Sequence, residues 1–309
     1  MLNFFKIGHY TDRENGTGCT VILPPAETVC SAYAFGASPG TREYALLQPD
    51  KKIESVNALL LTGGSAFGLA AATGIVEELE KNKTGYQTPW AIVPIVPAAV
   101  IFDLNIGSSA VRPGAEQGKL ALKDAIFNNR SCGNIGAGTG ATVGKWAGLD
   151  KAMKGGLGIH QEEFGTLKAC AVVVLNSVGD IIDKQNKIIA GAYAAGGFLA
   201  EKNPYRRMGN PLAGDNENTV LCAVMTNAIV TKQQANYLAK RAHLGLAKRI
   251  EPSHTSFDGD VSFVMAYGQM ESSIDTTAAL IIKAVEGAVI NAVTSAEKLL
   301  NIPSVNDIR

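Results

Sequence analysis

The alternation of strand-like and helical patterns in the last third of the chain most constrains its fold. Two apolar runs, at residues 220–226 and 261–267, have the length and content of buried strands. Between them, Thr231 and Gln234 have the spacing of a capping box, which predicts the start of a long helix. Apolar residues recur on one helical face from about residue 275 to 300 and predict a second helix. Strand, helix, strand and helix in this order predict a layered α/β fold.

The preceding part of the chain mixes short apolar runs with glycine-rich turns. Three of these runs, at residues 19–23, 58–62 and 171–175, predict buried strands. Apolar residues at helical spacing predict a helix over residues 65–80. Residues 91–104 are apolar but contain two prolines, so an irregular, buried extended segment is expected there. No internal repeat of fixed period is evident.

The balance of charges limits the classes of partner. Lys+Arg and Asp+Glu both number 28, so the formal net charge is zero. Because there is no basic excess, we expect neither a nucleic-acid partner nor an anionic membrane. Hydrophobic residues make up 46% of the chain and charged residues 18%. This composition fits a compact globular protein with a large core, and it permits a homo-oligomer.

Cysteine usage and hydropathy predict a soluble, cytoplasmic protein. The five cysteines are odd in number and scattered, without a CxxC pair, which argues against a disulfide framework and against a zinc site. The first residues lack the charged-then-apolar order of a signal peptide. No apolar run reaches the roughly 20 residues that a membrane-spanning helix needs.

The boundary between Asn218 and Thr219 is a candidate cleavage site. Residues 203–218 are polar, with two prolines and two glycines, which predicts an exposed loop that tolerates cleavage. If the Asn218–Thr219 bond were cut, Thr219 would carry an α-amino group with an ordinary pKa of roughly 7.7–8, able to serve as base for its own hydroxyl. The alternative is a strand that simply begins with a β-branched residue.

Two carboxylates lie two residues apart in the segment His254-Thr255-Ser256-Phe257-Asp258-Gly259-Asp260. In an extended segment, Asp258 and Asp260 would project to the same side, and if buried their titrations would couple. A solvated turn is an equally open interpretation. His254, Asp258 and Asp260 also offer mixed nitrogen and oxygen ligands for a metal, but no second cluster of ligands accompanies them.

The glycine-rich segment from Gly133 to Lys145 superficially resembles a phosphate-binding loop. Its spacing does not fit, and Trp146 stands where a P-loop has Ser or Thr after the lysine. A dinucleotide-binding interpretation of residues 63–68 is equally weak, because the glycine spacing is wrong. Close backbone packing explains these glycines as well as any ligand does, and no cofactor is expected.

Asn176 ends the apolar run that contains residues 171–175. A side-chain amide at the end of a strand could donate a hydrogen bond to a developing oxyanion, although a turn asparagine is the simpler interpretation of Asn176 alone.

Together these segments resemble the L-aminopeptidase/D-esterase family, a group of self-cleaving N-terminal nucleophile hydrolases that includes nylon-oligomer hydrolase. The resemblance extends along nearly the whole chain. Its most specific parts are Asn218-Thr219, His254-Thr255, Asp258-Gly259-Asp260, Gly144-Lys145 and Asn176 in its Val-Leu-Asn-Ser-Val-Gly setting. The threonine and the Asp-Gly-Asp pair look closer to the nylon-oligomer hydrolase branch than to the serine-using β-aminopeptidases.

The resemblance implies a fold and a set of roles. The fold is the layered αββα sandwich of N-terminal nucleophile hydrolases, formed by one hydrolase domain, residues 1–309, that cuts itself into associated pieces 1–218 and 219–309. Thr219 is the implied nucleophile. Its implied supporting residues are Lys145, Asn176, Asp258 and Asp260. Asp258 would lie closest to Thr219, Asp260 would hold Asp258 or help pass protons, and Lys145 would offset their charge. A homotetramer is implied as well.

One departure from the family concerns the substrate. Where relatives have a tyrosine, this chain has Phe102 in Ala99-Val100-Ile101-Phe102-Asp103, so a hydroxyl is missing from the expected substrate pocket. Peptides with a free N-terminus, D-amino acid amides or esters, β-peptides and linear amide oligomers such as nylon-6 oligomers remain open as substrates.

Three alternatives to an amide hydrolase remain open from the sequence. A threonine-nucleophile acyltransferase would pass the acyl group to an amine instead of water. A metal-dependent hydrolase would use His254, Asp258 and Asp260. A binding or structural protein would leave the agreement of separate segments unexplained.

Overall fold

Two stacked β-sheets, each covered on its outer face by helices, form the protein. The computed structural model describes residues 3–201, 203–204 and 218–308. Most of the loop predicted at residues 203–218 therefore lies outside the described residues. The four layers are helices, sheet, sheet and helices, which is the predicted αββα arrangement.

In the described part of the chain, the first sheet has six strands in the order β4-β8-β5-β2-β1-β9. Neighbouring strands are antiparallel, except that β5 and β8 are parallel. The bounds are β1 Lys6–Asp12, β2 Thr17–Leu23, β4 Thr41–Arg42, β5 Leu59–Thr62, β8 Ala98–Val100 and β9 Ile126–Phe127.

The second sheet has five strands within the same described ranges, in the order β12-β13-β18-β20-β3. Here β18 and β20 are parallel and the other pairs antiparallel. The bounds are β3 Val29–Ala34, β12 Gly156–Phe164, β13 Leu167–Asn176, β18 Thr219–Ala228 and β20 Val261–Met270. The central position of β18 is what later places Thr219 between two neighbouring strands.

Short hairpins, helices and 3-10 turns complete the described part. The minor strands are β6 Tyr86–Gln87, β7 Ile92–Val93, β10 Thr142–Val143, β11 Met153–Lys154, β14 Asp180–Ile182, β15 Ile188–Ala190, β16 Tyr193–Ala194, β17 Gly197–Phe198 and β19 Ile250–Glu251. The helices are α1 Ser65–Gly68, α2 Ala71–Lys81, α3 Ala115–Lys123, α4 Lys232–Ala247 and α5 Ile274–Thr294. The 3-10 turns are Ala45–Leu47, Gly136–Gly138, Lys145–Ala147, Leu149–Lys151 and Val305–Asp307.

Alternate side chains of the central strands point into two different hydrophobic cores. In β13, Val172 and Val174 face the first sheet, whereas Val173 and Leu175 face helices α4 and α5. Because side chains of a strand point to opposite faces in turn, a strand buried on both faces has a continuous apolar sequence. This explains the run at residues 171–175. A third core lies between the first sheet and helices α2 and α3.

Several sequence predictions for these elements are confirmed. The runs at residues 19–23, 58–62 and 171–175 lie in β2, β5 and β13, and the two later runs lie in β18 and β20. Helix α4 begins with the predicted capping box, in which the Gln234 N–H donates to Thr231 Oγ1 at 3.2 Å and the Thr231 N–H donates to Gln234 Oε1 at 2.9 Å.

Two helix predictions differ from the structure. The helix expected over residues 65–80 is divided into α1, which ends at Gly68, and α2, which begins at Ala71. An added Cβ at Gly68 would lie 1.9 Å from the Gly63 carbonyl oxygen, so glycine is required there. The final helix ends at Thr294 rather than near residue 300. The Asn134 side chain binds both the N–H and the carbonyl of Glu297, so the chain leaves the helix to make this tertiary contact.

Helix α5 is long and apolar enough, by length and composition alone, to cross a membrane. It has 21 residues, and 61% of its most apolar stretch is buried inside the fold. Leu280, Ile281 and Val285 pack on the second sheet with the rest of that core. In this structure α5 is a core helix.

The capping contact of Thr231 gives a test of helix α4. Since Thr231 is exposed, Thr231→Ala removes the cap without opening a cavity, and we expect it to lower the free energy of unfolding by about 1 kcal/mol. Urea unfolding measures the difference. Thr231→Ser keeps the hydroxyl and should stay close to the parent protein, so equal losses in both variants would contradict a capping role.

Candidate active site

The candidate site lies where β13 ends and β18 begins. Thr219 is paired with Asn176 in the antiparallel register of these strands. Because side chains alternate between the two faces of a strand, Thr219 lies on the same face as Leu221, and Asn176 lies on the same face as Val174. Since Leu221 and Val174 face the first sheet, both polar side chains are directed toward the layer between the two sheets.

The hydroxyl of Thr219 is directed at the peptide bond that precedes it. Thr219 Oγ1 donates to the carbonyl oxygen of Asn218 at 2.6 Å, and Thr219 is 6% exposed. The same oxygen accepts the N–H of Gly259 at 2.8 Å, and the N–H of Asn218 donates to Phe257 O at 3.2 Å. The carbonyl of the predicted cleavage site is therefore held by a backbone donor from the Asp258-Gly259-Asp260 segment.

Gly259 permits this close approach because it has no side chain. An added Cβ would lie 2.5 Å from Ser38 O and 2.8 Å from Thr219 Oγ1. The loop after β3 contributes to the same packing, since the N–H of Ser38 donates to Asp258 O at 3.3 Å and the N–H of Phe35 donates to Asp260 O at 2.9 Å.

Asp260 ties the start of β18 to a histidine. Its Oδ1 accepts the N–H of Val220 at 2.7 Å, and its Oδ2 lies 2.7 Å from Nδ1 of His254. Both carboxylate oxygens are thus engaged, and the side chain is 3% exposed. Asp260 acts on the backbone directly after Thr219.

Asp258 is buried with one carboxylate oxygen still available. Its Oδ2 accepts the N–H and the hydroxyl of Thr255, each at 2.7 Å, while its Oδ1 has no hydrogen-bond partner among the described residues. Burial, followed by the neighbouring charge of Asp260, raises the pKa of Asp258 to about 6. The contacts from Thr255 and the charge of Lys145 oppose this rise.

Lys145 enters the site from the glycine-rich segment. Gly144 precedes it with φ of +75°, and an added Cβ at Gly144 would lie 2.1 Å from the Ala192 nitrogen, so glycine is required at this position. Lys145 Nζ donates to Asn176 Oδ1 at 2.6 Å and to Asn176 O at 3.3 Å. Burial lowers the pKa of Lys145 to about 7, against the charges of Asp258 and Asp103, which raise it.

The amide of Asn176 joins three parts of the chain. Its Oδ1 accepts from Lys145 Nζ and from the N–H of Thr142 at 3.1 Å, and its Nδ2 donates to Phe102 O at 3.1 Å. One Nδ2 proton is thereby committed to a backbone carbonyl. The predicted donation from Asn176 to an oxyanion would use the second proton of Nδ2 and stays a prediction.

Two more buried charged residues, Lys154 and Asp103, act on Lys145 through their charges, and the sequence did not single them out. Lys154 Nζ donates to the carbonyls of Thr139 and Ala141, which fixes the turn before β10. Asp103 accepts from the N–H of Gly64 at 2.7 Å and from Thr17 Oγ1 at 2.8 Å. A lysine in a two-residue strand gives no sequence signal of burial, and Asp103 is recognisable only through its tertiary donors.

The structure therefore brings the predicted site residues into one region. Asn218 and Thr219 lie between Asn176 on β13 and the Asp258–Asp260 segment before β20, and Lys145 reaches Asn176. Phe102, half-buried, adjoins this region through its backbone carbonyl.

The alternative metal ligands of the sequence have other partners here. His254 Nδ1 faces the Asp260 carboxylate, and Oδ2 of Asp258 faces Thr255. Among the described residues, no group of three or more His, Cys, Asp or Glu side chains could hold a metal ion.

Comparison with known proteins identifies the class of this protein. The sequence matches peptidase family S58 over residues 5–303, so the chain belongs to that family and is a hydrolase. It is 36% identical over 299 residues to an uncharacterised aminopeptidase of Mycobacterium leprae, covering 87% of this chain and 78% of the relative. It is 30% identical over 276 residues to a 6-aminohexanoate-oligomer endohydrolase of Kocuria sp., covering 85% and 72%.

Solved structures confirm the predicted fold. A β-aminopeptidase of Burkholderia sp. superposes with a TM-score of 0.74 at 16% identity, covering 100% of this chain and 93% of that one. An L-aminopeptidase D-Ala-esterase/amidase from Ochrobactrum anthropi, described as a variant of the Ntn hydrolase fold, gives 0.73 at 18% identity, covering 96% and 87%. The chain therefore has the N-terminal nucleophile hydrolase fold.

The lowered pKa of Lys145 predicts a pH-dependent stability. In a Thr219→Ala background, which lacks the hydroxyl predicted to cleave the chain, we expect the free energy of unfolding to rise relative to that of Lys145→Met as pH increases from about 7 to about 9. The unfolded lysine, with an ordinary pKa of 10.5, binds more protons in this window than the folded lysine, whose pKa is about 7. The expected gain is on the order of 2–3 kcal/mol, measured by urea unfolding at each pH.

Lys154 is present in both proteins, so the comparison reports Lys145 together with its interaction with the Lys154 charge. The control is Lys123→Met on the exposed side of α3, which should show no such dependence on pH. Parallel stability curves for the parent and Lys145→Met would contradict the lowered pKa.

Proposed function

We propose that this amide hydrolase uses Thr219 as an N-terminal nucleophile, released when the chain cuts its own Asn218–Thr219 bond. The observation that carries the proposal is the contact of 2.6 Å between Thr219 Oγ1 and the carbonyl oxygen of Asn218. A hydroxyl so close to the preceding carbonyl group is within reach of the carbon it must attack. The Gly259 N–H on the same oxygen supports the assignment.

Self-cleavage begins with an acyl shift. The Thr219 hydroxyl oxygen attacks the carbonyl carbon of Asn218, and the negative charge that develops on the carbonyl oxygen is stabilised by the Gly259 N–H. The carbon–nitrogen bond then breaks, the hydroxyl proton goes to the departing nitrogen, and an ester forms. Water hydrolyses the ester to a carboxylate on Asn218 and a free amino group on Thr219.

The free amino group then serves amide hydrolysis. In its neutral form it takes the proton of the Thr219 hydroxyl as the oxygen attacks a substrate carbonyl. In its charged form it binds Oδ1 of Asp258, an atom without a hydrogen-bond partner in the described part of the chain. Lys145 offsets the negative charge of Asp258, and Asn176 holds Lys145 at 2.6 Å. Asp260 fixes the strand start through Val220.

The fold supports continued association of the two pieces, residues 1–218 and 219–309. In the second sheet, β18 of the second piece pairs with β13 of the first, and β20 of the second piece pairs with β3 of the first. Both pieces also contribute to the same apolar cores. We therefore propose one hydrolase domain, residues 1–309, made of two chains after cleavage.

We propose aminopeptidase-type amides or linear amide oligomers as substrates. The names of the relatives support these two classes, one being an aminopeptidase and another a 6-aminohexanoate-oligomer endohydrolase. The identity is 36% with the aminopeptidase and 30% with the endohydrolase, which keeps both substrate classes in the proposal. Phe102 supplies an apolar ring where relatives have a tyrosine hydroxyl, which favours an apolar substrate segment there.

We also propose a cytoplasmic homotetramer. All five cysteines lie in the described part of the chain and are free, which suits a reducing compartment. Large apolar side chains on the outside of the protomer support self-association, among them Trp90 at 91% and Phe164 at 69% exposure.

Replacement of the nucleophile tests the proposal directly. Denaturing mass spectrometry of the wild-type chain should show pieces of 218 and 91 residues, since cleavage after Asn218 divides the 309 residues there. Thr219→Ala should remain one chain and lose amide hydrolysis by on the order of 10³-fold or more. Thr219→Ser, which keeps a hydroxyl, should still be cut. An uncut wild-type chain, or an active Thr219→Ala, would refute the assignment.

A small substrate panel tests the substrate class. We expect release of product from an aminoacyl p-nitroanilide or a linear 6-aminohexanoate oligomer, with Phe102→Tyr shifting the ratio of kcat/KM between the two by restoring a hydroxyl at that position. The product should be the free acid without any added amine, and a requirement for an amine acceptor would identify an acyltransferase instead. Equal kcat/KM ratios in the wild-type protein and Phe102→Tyr would show that residue 102 does not influence the choice of substrate.

A further inference from the structure

The ring of His254 faces hydrogen-bond acceptors on both sides. Nδ1 lies 2.7 Å from Oδ2 of Asp260, and Nε2 lies 3.3 Å from the backbone oxygen of His243. Neither a carboxylate nor a carbonyl oxygen can donate a proton. A neutral imidazole carries one N–H only, so it would direct a lone pair at one of these two oxygens. The imidazolium form, with two N–H donors, satisfies both.

The surroundings of His254 hold its ring in place. Its side chain is 9% exposed, and its ring centroid lies 4.5 Å from that of Phe35 and 4.9 Å from that of His243. The backbone of His254 has a positive φ of 53°, a conformation uncommon for a residue with a side chain. Such a conformation persists where the surrounding contacts determine it.

The pKa values of the two neighbouring histidines shift in opposite directions. Burial by itself lowers the pKa of His254, but the hydrogen bond and the charge of Asp260 outweigh it and raise this pKa above its ordinary value. Burial, and after it the charge of His254, lower the pKa of His243 to about 4. The groups that face His254 are thus Asp260 and Asp258 from its own segment, the neutral His243 from α4, and the uncharged Phe35 ring from the loop after β3.

We propose that His254, as an imidazolium, is a positioning residue of the active site, acting through Asp260 on the backbone at Thr219. The contact with His254 leaves Oδ1 of Asp260 directed at the Val220 N–H, one peptide unit after the nucleophile. This inference rests on the proposed function of Thr219. It assigns to His254 a role different from that of a metal ligand.

The proposal fixes a direction of pH dependence. A folded pKa above the ordinary value of 6.5 means that the His254–Asp260 contact stabilises the fold fully below about pH 6.5 and is lost as pH rises through the folded value. Self-cleavage should therefore lose rate on the alkaline side as His254 is deprotonated. Asp258 and Lys145 titrate as well, so the His254 contribution is the part that disappears in a variant lacking this ring.

The charge of His254 can be measured without any activity. In the intact Thr219→Ala chain, ¹⁵N NMR of the histidine rings reports the protonation of each nitrogen, and the chain has only four histidines. Comparison with His254→Gln assigns the His254 signals. We expect both His254 nitrogens to be protonated at pH 6, with a midpoint above that of an ordinary histidine. A single neutral tautomer at pH 6 would overturn the imidazolium.

The positioning role is read from self-cleavage kinetics. His254→Gln keeps one donor for Asp260 without a titratable ring, and we expect slower cleavage by on the order of 10- to 100-fold, without the alkaline decline that follows the His254 titration. His160→Gln, on the edge strand β12 and bonded to Glu162, is the matched control and should keep the wild-type rate and pH profile.

The outcomes separate this proposal from the proposed function. A wild-type chain that never cuts itself refutes the function of Thr219, and with it the role assigned here. If the wild-type chain cuts itself and His254→Gln matches it in rate and pH profile, only the positioning role is refuted. If His254→Gln fails to fold, His254→Asn replaces it in both measurements, because asparagine tolerates the positive φ of residue 254 and keeps a donor for Asp260. A folded His254→Asn chain with the wild-type rate and pH profile then overturns the positioning role.

Discussion

The pairing of β18 between β13 and β20 is the constraint on which the rest of the site depends. Its antiparallel register with β13 sets Thr219 opposite Asn176, and its parallel register with β20 brings Asn218 beside Asp258. Ladder hydrogen bonds and two buried faces fix this register, because a shift by one residue would turn every side chain of β18 to the wrong face. The positions of Asn218 and Thr219 in the site are therefore set by the packing of an apolar strand.

Buried charge is the second condition of the site. Lys145 and Lys154 lie with Asp103 and Asp258 in a region from which water is largely excluded, so each charge is costly unless another offsets it. The pKa values of both lysines fall to about 7 and those of the two carboxyls rise to about 6. Groups that ordinarily titrate far apart are thereby brought close to neutral pH, where proton transfer between them costs little.

Sequence patterns predicted the layered fold, the family and three strands of the second sheet, β13, β18 and β20, because each rests on local periodicity or on short motifs. The end of α5 was wrong by several residues, since the contact between Asn134 and Glu297 joins positions far apart in sequence. The site residues were predicted from their motifs, but their hydrogen-bond partners could not be predicted from the sequence. Nothing local indicates that Gly259 supplies a donor to the Asn218 carbonyl. The same holds for the two acceptors that surround the ring of His254.

The central position of β18, between β13 and β20, affects how the protein can fold. In the intact chain, the neighbours of this strand are tethered to it, so the sheet assembles within one molecule. If the Asn218–Thr219 bond is cut as we propose, the same assembly from unfolded pieces becomes a second-order encounter between two fragments, each with unpaired strand edges. Under that proposal the order of events is one-way: the precursor must fold first, and the cleaved enzyme persists by remaining folded.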